Sequence, residues 1–255
     1  MSDVHPMATG GYSRSADSYV RGRPDYPPAA LDWLRNDLGL EPGRAALELG
    51  AGTGKFTRLL IETGAAVTAV EPVGAMLDEL RRALPAVFAS QGTAQRIPAA
   101  DASADAVICA QAFHWFASAE SLAEIRRVLK PGGKLGLIWN VRDQSVGWVA
   151  ELTRIMAPYE GDAPRYDHGE WRRIFPAQGF GELHERTFVH SHIGPAEQVI
   201  VERVASVSFI AALPEETREK VLEDVRTLIA STPELAGRDP VAMPYITNAY
   251  WCGAR

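Results

Sequence analysis

Glu48 stands just ahead of three glycines at spacing two, Gly50, Gly52 and Gly54, with Ala51 between the first pair and Lys55 after the last. A short apolar run, residues 45–49, leads into this stretch, and a helical pattern (Phe56, Leu59, Leu60) leaves it. A buried strand that turns into a helix through glycines lets backbone N–H groups and a helix N-terminus approach a ligand with no Cβ in the way. A phosphate loop would need G-x-x-x-x-G-K and then Ser or Thr. Leu49 and Phe56 break that pattern at both ends. A dinucleotide fingerprint would need G-x-G-x-x-G, and Lys55 takes the place of its third glycine. What remains is an acidic side chain before the glycines, which would repel a pyrophosphate and pair well with an ammonium group. The turn therefore expects a ligand with a cationic amino-acid end.

Further groups fall where they could complete such a site. A second apolar run, residues 65–70, ends in Glu71-Pro72, 23 positions beyond Glu48. A carboxylate at that strand end can clasp ribose hydroxyls, so the ligand also has a nucleoside end. S-adenosylmethionine has both ends. Met76, in the first turn of the next helix, is placed to lie against an adenine ring, and Ala94-Gln95 sit on the loop that follows the third strand. A strand over residues 106–110 is followed by Gln111, Phe113, His114 and Trp115. Aromatic walls at Phe113, Trp115 and Tyr19 can hold a cationic sulfonium by cation–π contact. His114 is the best general base on offer if the acceptor is a hydroxyl, or an aromatic shelf if it is a carboxylate, which is already an anion at neutral pH. Arg21, Arg23 and Arg142 are candidates to hold a carboxylate by bidentate pairing. Trp148 and Tyr159 are candidate walls of the acceptor pocket.

These residues need elements to position them. Residues 1–11 carry no pattern, and residues 12–28 form a Tyr- and Arg-dense leader that reads as a flap. Pro27 and Pro28 open a helix with Leu31, Leu34 and Leu38 on one face, stopped by Gly39. After the glycine turn come a helix over 55–63, the strand at 65–70, a helix striped by Met76, Leu77, Leu80 and Leu84, and a strand at 86–90. Ser118 is placed to cap a helix with Leu122, Ile125 and Leu129 inward, ended by Pro131. Gly132-Gly133 turn into a fifth strand at 134–139. Strands alternating with helices specify a parallel sheet with right-handed crossovers, and ligands bind outside the carboxyl ends of its strands. Glu48, Glu71, Gln95, Gln111 and His114 all belong to that edge. The second half reads as helices at 146–159, 195–213 and 215–231, an extended run at 180–193, and an aromatic strand at 243–252.

Composition sets the class. The chain has 255 residues, 46% apolar and 23% charged, enough to bury a full core. Its net charge of −6 argues against a nucleic-acid or anionic-membrane surface. Cys109 and Cys252 lie far apart in apolar runs and read as reduced core residues. No stretch of about 18 apolar residues occurs, so no membrane partner and a cytoplasmic location are expected. No metal site is expected, and the oligomeric state is silent.

In their order, Leu47-Glu48-Leu49-Gly50-Ala51-Gly52-Thr53-Gly54, Val70-Glu71-Pro72, Asp105-Ala106-Val107 and Leu129-Lys130-Pro131-Gly132-Gly133 resemble the successive motifs of class I S-adenosylmethionine-dependent methyltransferases. Tyr19-x-x-x-Arg23-Pro24-x-Tyr26-Pro27, the run from Ala110 to Phe116, and Tyr245-Ile246-Thr247 with Trp251 are similar to a small-molecule branch that includes trans-aconitate-type carboxyl methyltransferases. Gln95 departs from the acidic residue expected in the adenine loop.

The resemblance implies an α/β, Rossmann-like, doubly wound, mostly parallel sheet of seven strands whose last strand is antiparallel, with helical cap insertions. One domain over residues 1–255 is expected: an N-terminal flap and helix to residue 40, a cofactor core at 43–140, then cap helices and two final strands. The expected cofactor is S-adenosyl-L-methionine, with S-adenosyl-L-homocysteine as product. Its expected contacts are Tyr19, Arg23, Glu48, Gly50, Ala51, Gly52, Gly54, Glu71, Pro72, Met76, Ala94, Gln95 and Gln111. His114, Trp115, Arg142 and Trp148 are expected at a small-molecule acceptor, methylated on a carboxylate or hydroxyl oxygen, with His114 also the catalytic candidate. A non-catalytic cofactor-binding regulator and a nicotinamide-dependent dehydrogenase are the alternatives.

Overall fold

The computed structural model describes residues 22–162 and 164–255. Its first half alternates as the periodicities require: α1 (Ala29–Asn36), β1 (Ala45–Leu49), α2 (Lys55–Ile61), β2 (Ala66–Glu71), α3 (Gly74–Ala83), β3 (Phe88–Gln91), β4 (Ala104–Ala110), α4 (Ala119–Val128) and β5 (Leu129–Arg142). The second half holds α5 (Gly147–Met156), β6 (His184–Gly194), a π-helical turn (Glu197–Glu202), α6 (Arg203–Ala205), α7 (Ser208–Ala211), α8 (Glu215–Ser231) and β7 (Val241–Gly253).

The sheet runs in the order β3-β2-β1-β4-β5-β7-β6. β1 pairs parallel with β2 and β4, and β7 lies antiparallel between β5 and β6. The expected seven-stranded, mostly parallel sheet with an antiparallel last strand is the one observed.

Alternation along the strands divides the core in two. Leu47, Leu49, Val107 and Cys109 face α4, where Leu122, Ile125 and Val128 meet them. Ala46, Ala106 and Ile108 face the other way, against Trp33 and Leu34 of α1 and Phe56 and Leu60 of α2. A parallel sheet buried on both faces needs apolar residues on both sides of its strands, which β1 and β4 supply apart from Glu48 and Asp105. Both cysteines are free and buried, and burial pushes their thiols up. A separate apolar cluster in the cap joins α5 (Val149, Leu152) to Val199, Ile200 and Val204 and to Val221 and Val225 of α8.

Three elements differ from expectation. The buried face of α1 is Ala30, Trp33 and Leu34, and Leu31 is only half-buried, because Trp33 supplies the larger apolar surface. β5 begins at Leu129, with a register shift between Ala104 and Ala106 that loops out Pro131, Gly132 and Gly133. Residues 195–213 do not form one helix. Val199, Ile200, Val201, Val204 and Val207 are β-branched and crowd the helical turn, and the backbone widens to a π-helical turn and breaks at Ser206–Val207. Ser118 caps α4 as anticipated, accepting the Ser121 N–H at 3.1 Å.

Candidate functional site

The glycine turn closes β1 onto β2. Gly50, Gly52 and Gly54 hold φ of 71°, 58° and 85°. At Gly50 a Cβ would stand 2.7 Å from the Cβ of Ala112, so both the conformation and the space require glycine. The expectation of bare N–H groups is corrected. The Gly50 and Ala51 N–H groups donate to the Val70 carbonyl, and the Gly54 N–H donates to the Ala51 carbonyl. The Gly52 N–H donates to Glu71 Oε2 at 2.8 Å. A crossover this tight uses its own donors to hold its shape.

Two carboxyl groups face each other across the turn. Glu48 is 1% exposed, and its Oε2 accepts the Thr57 hydroxyl at 2.6 Å. Burial pushes it up to about 8; the Glu71 charge adds to this and the Thr57 hydrogen bond opposes it. Glu71 is also buried, and its Oε1 accepts the Val73 N–H at 2.9 Å. Burial raises Glu71 as well, against its two backbone donors. Each Glu71 oxygen keeps a lone pair for a further donor, such as a hydroxyl.

Residues 22–28 cross this cleft as a strap. Lys55 Nζ donates to the Arg23 carbonyl and pairs with Asp25 at 3.2 Å. Asn140 Nδ2 donates to the Asp25 carbonyl at 3.2 Å. The Tyr26 ring meets Phe56 edge-on at 4.6 Å, and Arg23 donates to the Ser206 carbonyl at 3.1 Å. Under the strap lies a cleft of about 550 Å³ lined by Glu48, Gly50, Ala51, Gly52, Lys55 and Gln111, among others.

A second cavity of about 810 Å³ adjoins it, and Arg23, Gln111, Asn140 and Arg203 line both. Gln111 holds φ of 58° without being glycine, a strained position at the junction. Arg142, Arg165, His114, Trp115, Trp139 and Tyr166 form much of the second cavity's wall. Arg165 is neutralised by Glu160 at 3.1 Å and lies over the Phe209 ring. Arg142 is not neutralised in this way. Among the described residues its hydrogen-bond partner is Met156 Sδ at 3.4 Å. Burial, then the charge of Arg203, pushes its guanidinium down to about 10. It remains a cation, and among the described residues it makes no salt bridge, though the Asp167 charge opposes the shift.

His114 accepts the Trp139 indole N–H on Nδ1 at 3.0 Å. Burial first, then the charges of Arg165 and Arg23, push the imidazole down to about 3. It is neutral at physiological pH.

Of the sequence-predicted groups, Arg23, Glu48, Gly50, Ala51, Gly52 and Gln111 line the cleft and His114, Trp115 and Arg142 line the second cavity, whereas Glu71, Pro72, Met76, Ala94 and Gln95 line neither. Met76 is buried, its Sδ 4.0 Å from where a Gly52 Cβ would stand. The Pro72 carbonyl accepts Gln91 Nε2 at 3.0 Å, Ala94 is buried and Gln95 half-buried. Tyr19 and Arg21 lie outside the described residues. Trp148 and Tyr159 pack against the cap cluster and do not line the second cavity. Sequence reasoning missed Trp139, Asn140, Arg165, Tyr166 and Arg203. Asn140 left a trace, as a polar residue in an apolar strand, and so did Arg203, set among valines.

Comparison with known proteins bears on this geometry. A family profile described as the methyltransferase domain matches residues 47–137, the segment that carries the turn, Glu71 and β4. The chain is 40% identical over 233 residues to an uncharacterized methyltransferase-like protein of Schizosaccharomyces pombe, covering 91% of each. It is 28% identical to the malonyl-[acyl-carrier protein] O-methyltransferase of Serratia marcescens, over 85% of this chain and 75% of that one. A provisionally assigned type II methyltransferase of known structure from Anaeromyxobacter dehalogenans superposes with a TM-score of 0.67 at 23% identity, over 91% of this chain and 97% of that one.

Proposed function

The chain belongs to the class I S-adenosylmethionine-dependent methyltransferases, and from that premise we propose that it methylates an oxygen of a small anionic acceptor, a carboxylate ahead of a hydroxyl. The cofactor core at 43–140 and the cap at 141–255 work here as one domain, which we place in the cytoplasm. Among the described residues no helix is long and apolar enough to cross a membrane.

The cleft under the strap fits the cofactor. Glu48 is a buried carboxyl with a single hydroxyl partner, suited to an ammonium group. Glu71 retains lone pairs for ribose hydroxyls, and Met76 and Ala94 offer apolar surface for the base. Arg23 and Gln111, at the junction, suit the amino-acid carboxylate. When bound, S-adenosylmethionine supplies a methyl group already activated by its sulfonium. The protein's part is then to bring an oxygen in line, about 3 Å away, and to exclude water.

The observation that carries the acceptor's class is Arg142, which makes no salt bridge among the described residues. A half-buried guanidinium that Asp167 reaches only through a minor charge interaction gains from an anion that pairs with it directly. Arg23, Arg165 and Arg203 share the cavity, so a cationic amine acceptor would be repelled. A carboxylate is ionised at neutral pH and attacks without a general base. The similarity to an O-methyltransferase agrees with this reading. Arg142→Gln should raise the acceptor KM about tenfold or more, by loss of a charge-assisted bond of about 1.5–3 kcal/mol, and leave S-adenosylhomocysteine affinity unchanged. Transfer of labelled methyl to metabolite amines, with none to carboxylic or hydroxy acids, would reverse the assignment.

A further inference from the structure

We propose that Trp139 fixes His114 in the tautomer that carries its proton on Nε2, so that His114 presents an N–H donor to the acceptor and takes no proton from it. Trp139 is then a positioning residue that acts through His114. The inference rests on the second cavity being the acceptor's place.

The argument is a proton count. An indole nitrogen has one N–H and no lone pair to offer, so it can only donate. The 3.0 Å contact therefore makes His114 Nδ1 an acceptor. A neutral imidazole carries one N–H, which must then sit on Nε2. Protonating the ring would set an Nδ1–H against the indole N–H.

The ring's surroundings act in the same direction. Arg23 comes from the strap, Arg142 from β5, Arg203 from α6 and Arg165 from the loop before the Glu170–Ile174 turn. Tyr166 and Asp167 belong to the same loop, and Asp167 approaches Arg165 at 4.0 Å. Burial first, and then the charges of Arg165 and Arg23, keep the imidazole neutral. Trp139 is held in turn, 1% exposed, with its ring centroid 4.6 Å from that of Trp171 and 5.0 Å from that of Tyr166. It cannot swing away from His114 without disturbing both contacts.

The chemical consequence is balanced without a base. One acceptor carboxylate oxygen forms the bond to the methyl carbon. The sulfur keeps the electron pair of the broken carbon–sulfur bond, and no proton is exchanged. His114 Nε2–H holds the other carboxylate oxygen, which orients the attacking one.

Long-range ¹H–¹⁵N correlation spectra of the full chain, labelled at histidine and saturated with S-adenosylhomocysteine, test this with no acceptor present. His114→Gln assigns the signal. We expect the Nε2-protonated pattern with no titration between pH 5 and 8. Trp139→Phe should mix the two neutral tautomers, because the burial and the Arg165 and Arg23 charges that keep the ring unprotonated remain. An Nδ1-protonated ring, or an imidazolium above pH 6, overturns the proposal. If Trp139→Phe does not fold, the spectrum of the native chain decides alone. Titration calorimetry of S-adenosylhomocysteine on the same sample reports separately on the cofactor reading, so its failure cannot be confused with a wrong tautomer.

Discussion

The ammonium-binding role proposed for Glu48 conflicts with its surroundings. Burial favours its neutral form and moves the carboxyl up to about 8, whereas pairing with an ammonium needs the anion. Binding at neutral pH should therefore release a proton. Calorimetry of S-adenosylhomocysteine in buffers of different ionisation enthalpy should show this release, and Glu48→Gln should abolish it while weakening binding. The same shift has a stability consequence. A folded-state value raised from 4.5 to about 8 stabilises the free protein at low pH, and that contribution is lost as pH rises through about 8. Denaturant titrations between pH 5 and 8 should show the decline, and Glu48→Gln should flatten it. The type and spacing of Glu48 were legible in the sequence because the motif is local. The surroundings of Arg142 and the hydrogen bond of His114 were not, since each depends on a partner distant in sequence, Met156 and Trp139.

The turn and the strap matter as elements. Gly50→Ala would force a side chain into a left-handed conformation and against Ala112, a strain of about 1–3 kcal/mol. The denaturant midpoint should fall accordingly, with no change in slope. Asn140→Ala removes a donor that holds the Asp25 carbonyl, so S-adenosylhomocysteine should dissociate faster, as measured by stopped-flow. An unchanged rate would mean that the strap does not retain the cofactor. Strand and helix alternation up to β5 could be read from periodicity, because the central strands β1 and β4 are largely apolar on both faces. The stretch at 195–213 misled because its valines satisfy a helical pattern that their branching then distorts. The flap expected over residues 12–28 lies outside the described residues up to residue 21; the latches of residues 22–28, Lys55 and Asn140, lie elsewhere in the chain.

Across the whole molecule, the carboxyl edge of the sheet gathers what the chain disperses. Glu48 and Glu71 stand at the carboxyl ends of β1 and β2 and Gln111 follows β4, and parallel topology alone predicts that they meet. The acceptor cavity has no such rule. Arg23, Arg142, Arg165 and Arg203 come from the strap, the sheet, a loop and the cap, and they concentrate positive charge in a chain of net charge −6. A low-dielectric cleft focuses that field on an entering anion. The central claim is that the cofactor's amino-acid end rests at Glu48 and its sulfur faces the Arg142 cavity. A crystal structure with S-adenosylhomocysteine bound tests it most directly. The account predicts the ammonium within about 3.2 Å of Glu48 and the sulfur at the junction lined by Gln111 and Asn140. A nucleoside lodged anywhere else, or a sulfur turned away from that junction, would contradict it.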